Sequence, residues 1–225
     1  MTARAWRCAG LFVCAISARP VGAQDSLRFV GADAATSREV SQIIEAAATD
    51  GLPAGLILSK ARFALAVRTP GPKIVETAKA MLARLVVARR AIHPHAQEGD
   101  LAGAEAALSY DVPPEILQRI SSASPKQPIA VPLGVLTQLV ADRVPAKRAG
   151  DIVTELLKRG ATTTQLAKLG NDVDADVKVA GYPAIDALKM RYDGLIPRLA
   201  PSSVAGAAAD AAFAGSSTGP PPKKP

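Results

Sequence analysis

Two histidines and two nearby acids are the only cluster in this chain whose residue types suit a metal ion. His93 and His95 stand two positions apart, and Glu98 and Asp100 follow them. In an extended segment, side chains two positions apart point the same way, so both imidazoles could bind one Zn²⁺ with a carboxylate completing the site. A catalytic zinc usually takes its ligands from rigid elements, however, and these histidines lie in a predicted loop. The sequence favours a solvated loop, with His93 and His95 as candidate metal ligands and no cofactor.

An acidic run at residues 171–176 suggests a calcium loop, because oxygen ligands alternate along it. The continuation does not fit a calcium loop. Val177 stands where the sharp turn needs glycine, and Pro183 stands where a bidentate Glu is needed. Val173 and Val177 also continue the apolar stripe of a helix, so the sequence predicts a polar helical face here.

Enzymatic motifs are missing from the sequence. We find no Gly-x-Ser-x-Gly elbow and no glycine-rich phosphate loop, and the only cysteines, Cys8 and Cys14, lie in a segment predicted to be removed. A paired-carboxylate enzyme needs none of these, but sequence alone cannot place two acids across a cleft. The sequence favours a protein that is not an enzyme. The acids on predicted helices include Glu45, Glu76, Asp142, Glu155 and Asp186.

Contact with nucleic acid is also disfavoured. The turn at Gly160 and the helix after Thr162 resemble a DNA-reading helix-turn-helix, but only Lys168 supplies a cation to the second helix. Arg84, Arg89 and Arg90, or Lys147, Arg148, Lys158 and Arg159, could form an anion-binding patch, but most of these stand in the last turn of a predicted helix, where the helix dipole favours a cation without any partner. We therefore predict no nucleic-acid partner.

The N-terminus has the pattern of a secretory signal. Arg4 and Arg7 precede an uncharged stretch that is too short to span a membrane, and small residues follow at 21–23. We predict removal of residues 1–23, export to the periplasm or the medium, and no transmembrane span in the mature chain. A lipoprotein anchor on Cys14 is the alternative, although the residues before it lack the small side chains of a lipobox. Removal would take three arginines from the 27 basic and 20 acidic residues, leaving 24 against 20.

Hydrophobic periodicity predicts an all-α fold without a sheet. The apolar spacing in residues 36–199 indicates about nine helices in one domain, an irregular multi-helix bundle of helix-turn-helix pairs. Residues 24–35 are predicted as an extended lead-in, and the Ala/Gly/Ser/Pro-rich residues 200–225 as a disordered tail. The helix at residues 73–90 has the widest apolar stripe, so we expect it to be central.

Several details of these helices are specific enough to test. Thr36 is predicted to cap the first helix, with Glu39 completing a capping box, and Asp100 is predicted to cap a later helix. The second and last helices are expected to bury one apolar face each. These faces are Leu56, Ile57, Phe63, Ala64 and Val67 in the second helix, and Ile185, Leu188, Tyr192, Leu195, Ile196 and Leu199 in the last.

An apolar residue followed by proline recurs at predicted helix starts, where the proline fixes the chain direction and the apolar residue packs against the first turn. The copies are Leu52-Pro53, Val112-Pro113, Val144-Pro145 and Tyr182-Pro183. In these phrases, and in the turn Arg159-Gly160-Ala161, the chain resembles a group of uncharacterised exported all-helical bacterial proteins. The resemblance implies an exported helical fold and no activity.

Together these patterns favour a non-catalytic helical interaction or scaffold protein of the cell envelope, which contacts a protein partner through helix surfaces or a groove between helices. A binder of a small apolar ligand is the first alternative and requires a core pocket, for example between Met81, Leu85, Ile152 and Leu156. A carboxylate-dependent hydrolase acting on envelope polysaccharide is the second, and it requires two facing acids in a cleft. The sequence carries no signal for oligomeric state.

Overall fold

A computed structural model describes residue 29 and residues 33–92, 96–125 and 127–199. The predicted signal at residues 1–23, most of the lead-in, the histidine loop and the tail at residues 200–225 lie outside this part. The described residues contain no strand and form nine α-helices and a 3-10 turn, so the predicted all-α bundle is confirmed. The helices are α1 (Ala34–Thr49), α2 (Ala54–Ala66), α3 (Gly71–Ala91), α4 (Glu98–Ser109), α5 (Pro114–Ala123), α6 (Ala130–Ala141), α7 (Ala146–Lys158), α8 (Thr163–Lys178) and α9 (Ala184–Leu195), followed by the 3-10 turn Ile196–Arg198.

The helices pack in an order that runs from one end of the chain to the other. Helix α3 packs against α1, α2, α4 and α5, which confirms its predicted central place. Helices α4, α6 and α8 then lie side by side in a row, with α5 and α7 packed alongside. Helix α9 packs against α8 and forms the C-terminal edge of the bundle.

The core is built from aliphatic side chains of moderate size. Phe29 is the only aromatic residue in the buried apolar set of the described chain, and it is 2% exposed. Small residues let some helices approach closely. A Cβ added to Gly150 of α7 would lie 2.4 Å from Cγ2 of Ile116 in α5, so these two helices touch where a side chain is missing.

One hydrogen-bonded turn ends five of the helices. After α6, Arg143 takes a left-handed conformation, its N–H donates to the Val140 carbonyl at 2.9 Å, and the next N–H, that of Val144, donates to Leu139 at 2.9 Å. This is the Schellman pattern, which satisfies carbonyls that the helix leaves unpaired. The left-handed residues in the five turns are Gly51, Arg68, Asp111, Arg143 and Gly160.

The apolar residue of the repeated phrase follows the left-handed residue directly and is buried at Leu52, Val112 and Val144. The proline after it is the N-cap of α2, α5 and α7, so the first helical residue is the one after the proline. Tyr182 departs from the pattern because it is 52% exposed. Three copies of the phrase therefore place an apolar side chain in the core between two helices.

The cap of α1 differs from the prediction. Helix α1 begins at Ala34, and Asp33 is its N-cap, with Oδ1 accepting N–H groups from Ala35 at 3.1 Å and Thr36 at 2.9 Å. The Thr36 hydroxyl donates to Asp33 Oδ2 at 2.6 Å, so it is occupied by the residue that does the capping. The predicted cap at Thr36 is wrong because a carboxylate three positions earlier accepts the free N–H groups instead.

Asp100 also has a different role from the predicted N-cap. It lies in the first turn of α4, is 1% exposed, and its Oδ2 accepts the Gln97 N–H at 3.0 Å. Its Oδ1 accepts the N–H of Ile129, immediately before α6, at 2.7 Å. The buried carboxylate therefore ties the start of α4 to the start of α6, the next helix in the row.

The two predicted apolar faces are only partly covered. Phe63 of α2 and Val67 at its C-cap are 62% and 58% exposed, and in α9, Ile185 is 50% exposed. Helix α2 packs against α1 and α3 on one side, and α9 packs against α8. The prediction that these three side chains are buried is wrong because no described helix covers the outer sides of α2 and α9.

The Asp100 tie predicts a large loss of stability on truncation. Asp100→Ala leaves the buried N–H of Ile129 and the N–H of Gln97 without their acceptor, so the free energy of unfolding should fall by about 3 kcal/mol. Glu98→Ala, at an exposed position of the same turn, is the control and should cost less than about 1 kcal/mol. Urea unfolding followed by circular dichroism measures both variants, and equal losses would contradict the tie.

The repeated turn predicts opposite effects at two equivalent positions. Arg143 has φ of 71° and Gly160 has φ of 78°. Arg143→Gly should raise the free energy of unfolding by up to about 1 kcal/mol, because glycine adopts this conformation without a Cβ clash. Gly160→Ala should lower it by about 1 to 2 kcal/mol for the same reason. Chemical denaturation of the pair checks this, and a change of the same sign in both would refute it.

Candidate functional site

The most unusual carboxylate in the described chain lies between α6 and α8. Asp142 follows α6 as its C-cap, and its side chain is 5% exposed. Its Oδ2 atom is buried without a hydrogen-bond partner, and its Oδ1 atom lies 3.8 Å from Nζ of Lys178 in α8. Lys178 also forms an ion pair with Asp174, one helical turn earlier.

The two carboxyls have pKa values shifted in opposite directions. Burial, and then the negative charge of Asp174, raise the pKa of Asp142. The hydrogen bond from Lys178 lowers the pKa of Asp174. Acid and base pairs in hydrolases show such a divergence, which is what the second alternative function requires. None of the three grooves described below is lined by either acid, however. We therefore interpret Asp142, Asp174 and Lys178, here called the Asp142 cluster, as an electrostatic contact between α6 and α8.

The acidic run lies within α8, which confirms the predicted helical face. Asp172 pairs with Lys168 at 2.9 Å. Asp176 accepts two hydrogen bonds from Arg191 of α9, both at 2.6 Å, and this contact lowers the pKa of Asp176. The carboxylates of the run thus serve ion pairs along α8 and between α8 and α9.

Those ion pairs border an open groove between α8 and α9, with a volume of about 420 Å³. Its apolar lining comes from Leu169, Met190 and Leu195. Its charged lining consists of three cations and one acid: Lys168, Arg191, Arg198 and Asp172. Met190 is 49% exposed, so an apolar surface is available beside the cations.

The turn joining α8 and α9 adds a second apolar surface. Val179, Tyr182 and Ile185 are 87%, 52% and 50% exposed. Together with the groove, they make this helix pair an edge with uncovered apolar side chains. Such surfaces, bordered by polar residues, mark interaction sites on soluble domains. Sequence periodicity missed this surface because it assigned Ile185 to the buried face.

Two other grooves lie on other helix pairs. One, of about 550 Å³, lies between α1 and α3 and includes Asp33, Glu39 and Lys79. The other, of about 640 Å³, lies between α5 and α7 and includes Glu115, Arg119 and Lys158. Several charged side chains that line these two grooves form ion pairs at the surface, for example Lys79 with Glu39 at 3.3 Å.

The residues proposed to line an apolar core pocket lie on two helices that share no extended interface. Met81 and Leu85 are buried in α3, and Ile152 and Leu156 are buried in α7. Helix α5 packs against both α3 and α7. None of the three grooves described above is lined by any of these four residues.

The predicted metal ligands His93 and His95 lie outside the described residues. Within the described chain, no three His, Cys, Asp or Glu side chains are grouped so that they could hold a metal ion. The same residues include no helix with both the length and the hydropathy needed to cross a membrane.

Comparison with known protein families, curated proteins and solved structures finds no match to this chain. Its functional interpretation therefore depends on the surfaces and contacts described above.

The Asp142 cluster predicts a stability difference that depends on pH. Because the folded chain favours the neutral carboxyl, Asp142→Asn should raise the free energy of unfolding at neutral pH by about 1 kcal/mol. The advantage should shrink as the pH falls through the raised pKa of Asp142 towards its ordinary value of 3.8, since the native side chain then becomes neutral too. Unfolding measured across this range checks the sign.

Asp174→Asn is the control with the opposite sign. The folded chain favours the ionised form of Asp174, so this variant should be less stable than the native chain at neutral pH, and the deficit should shrink as the pH falls below 3.8. A difference for Asp142→Asn that stays constant with pH would contradict the raised pKa.

Proposed function

We propose that this protein is a non-catalytic helical interaction module of the cell envelope. Its interaction site is the groove between α8 and α9, which receives an amphipathic helical segment of a partner protein. The observation that carries the proposal is the apolar lining of Leu169, Met190 and Leu195 next to three cations. A helix that enters a groove supplies apolar side chains at three- and four-residue spacing, and such a lining accommodates them.

Charge indicates the kind of segment that fits. Lys168 and Arg191 already neutralise Asp172 and Asp176, whereas Arg198 forms no ion pair within the described chain. The groove therefore retains a positive charge at its Arg198 end. A partner helix with an acidic residue beside its apolar stripe complements both features.

Export is part of the proposal and depends on the signal-like pattern of residues 1–23. Removal of those residues also removes both cysteines. A chain that folds without disulfides depends on its aliphatic core, and the described helices supply a continuous one. A compact domain with an open edge suits a scaffold whose partner is another protein.

The groove predicts that one exposed side chain controls partner binding. Met190→Asp places a charge on the apolar lining and should weaken partner binding by roughly tenfold or more. Arg198→Glu should weaken it as well if the partner segment is acidic. Tyr110→Asp is a matched control, because Tyr110 is 50% exposed on another part of the bundle and Met190 is 49% exposed.

Pull-down from envelope extracts with all four chains, followed by titration of the recovered partner, measures these effects. Recovery of one stoichiometric partner by the native chain and Tyr110→Asp, with its loss in the two groove variants, supports the proposal. Two results would overturn it: no partner together with a monomer of constant mass, or a partner held equally by every variant.

A further inference from the structure

The outer side of α2 exposes two large apolar residues. Phe63 and Val67 are four positions apart, so they lie one turn from each other on the same side of the helix. The buried side of α2, which includes Ile57, Ala61 and Ala64, packs against α1 and α3. The exposed pair thus points away from the bundle and is held in place by a helix that is already packed.

The same region carries positive charge only. Residues 51–75 contain Lys60, Arg62, Arg68 and Lys73 and no acidic residue. Lys73 pairs with Glu76 at 3.0 Å. Lys60, Arg62 and Arg68 are exposed and form no ion pair within the described chain, and Lys60 Nζ lies 5.9 Å from the centre of the Phe63 ring.

This arrangement differs from that of α8. The cations Lys168 and Lys178 of α8 pair with acids of the same helix. Most surface cations need no partner, but here three unpaired ones lie in nine residues of chain that also expose Phe63 and Val67. We call Lys60, Arg62, Phe63, Val67 and Arg68 the basic face of α2.

We infer that the basic face of α2 binds an anionic lipid surface. Helices that lie in the membrane interface combine an aromatic or aliphatic stripe with flanking cations. The buried apolar area and the attraction to anionic lipids both strengthen membrane binding. Each Lys or Arg near an anionic bilayer adds an attraction that salt screens. Phe63 and Val67 enter the boundary between headgroups and acyl chains, while Lys60, Arg62 and Arg68 contact the lipid phosphates.

The shape of this face favours lipid over an acidic protein. The three grooves described above lie on other helix pairs, so a partner helix finds no groove formed by α2 residues among them. Two protruding apolar side chains on a convex helix suit a fluid surface that closes around them. This inference does not depend on the α8–α9 groove.

Vesicle binding by the full chain as it is recovered from the host tests the inference. We expect co-sedimentation with vesicles of mixed phosphatidylglycerol and phosphatidylcholine, weaker binding as salt rises, and little binding to phosphatidylcholine alone. Lys60→Gln/Arg62→Gln should lower the affinity roughly 25-fold, and Phe63→Ser roughly tenfold. All of these side chains are exposed, so circular dichroism spectra should be unchanged.

Matched controls distinguish an effect of the basic face on vesicle binding from an effect of net charge and from an effect of the α8–α9 groove. Arg148→Gln/Lys158→Gln removes two exposed cations of α7 that form no ion pair within the described chain, and it should leave the affinity within about twofold. Met190→Asp, which tests the α8–α9 groove, should also bind vesicles normally.

Three results would overturn the inference. They are equal binding to both kinds of vesicle, equal loss in the α2 and α7 charge variants, and an unchanged affinity for Phe63→Ser together with tight binding to polyglutamate. The last result would assign the face to acidic polymers, including acidic proteins. The groove variants are measured in a separate pull-down experiment. A negative result for vesicle binding therefore does not affect the test of the α8–α9 groove.

Discussion

The bundle depends on stopping its helices sharply. Five helices end in a left-handed residue whose N–H, and the N–H that follows, return to carbonyls of the last turn. Each turn satisfies polar groups that would otherwise be left at a helix end, and it reverses the chain within a few residues. Because the aliphatic core consists of short packed helices, these turns determine which apolar stripes meet. Leu52, Val112 and Val144 then fill the space beside them.

The helical architecture could be predicted because its signals are local. Apolar spacing and the Pro phrases located the helices, including the central α3. The caps were harder, since Asp33 and Thr36 both suit the start of α1, and the structure shows that Asp33 accepts the free N–H groups and also the Thr36 hydroxyl. Asp100 shows the same limit, because its second acceptor contact is with Ile129, far along the chain. Such contacts depend on how helices stack, which periodicity does not encode.

The candidate surfaces were less accessible to sequence reasoning. The Asp142 cluster needs α6 and α8 to be neighbours, and a raised pKa follows only once burial is known. Phe63, Val67 and Ile185 fit apolar faces by spacing, but whether a face is covered depends on the number of helices packed against it. Charge along the sequence could have indicated the surface of α2, since residues 51–75 lack any acid.

The row formed by α4, α6 and α8 has a geometric consequence. It separates α2, which packs beside α1 and α3, from α9, which packs on α8. A bilayer bound at α2 and a protein bound at α9 would be separated by the width of the intervening row of helices. Adding or deleting one helix of that row would change this separation by about the 8 to 10 Å between packed helix axes, while both contact surfaces stayed intact.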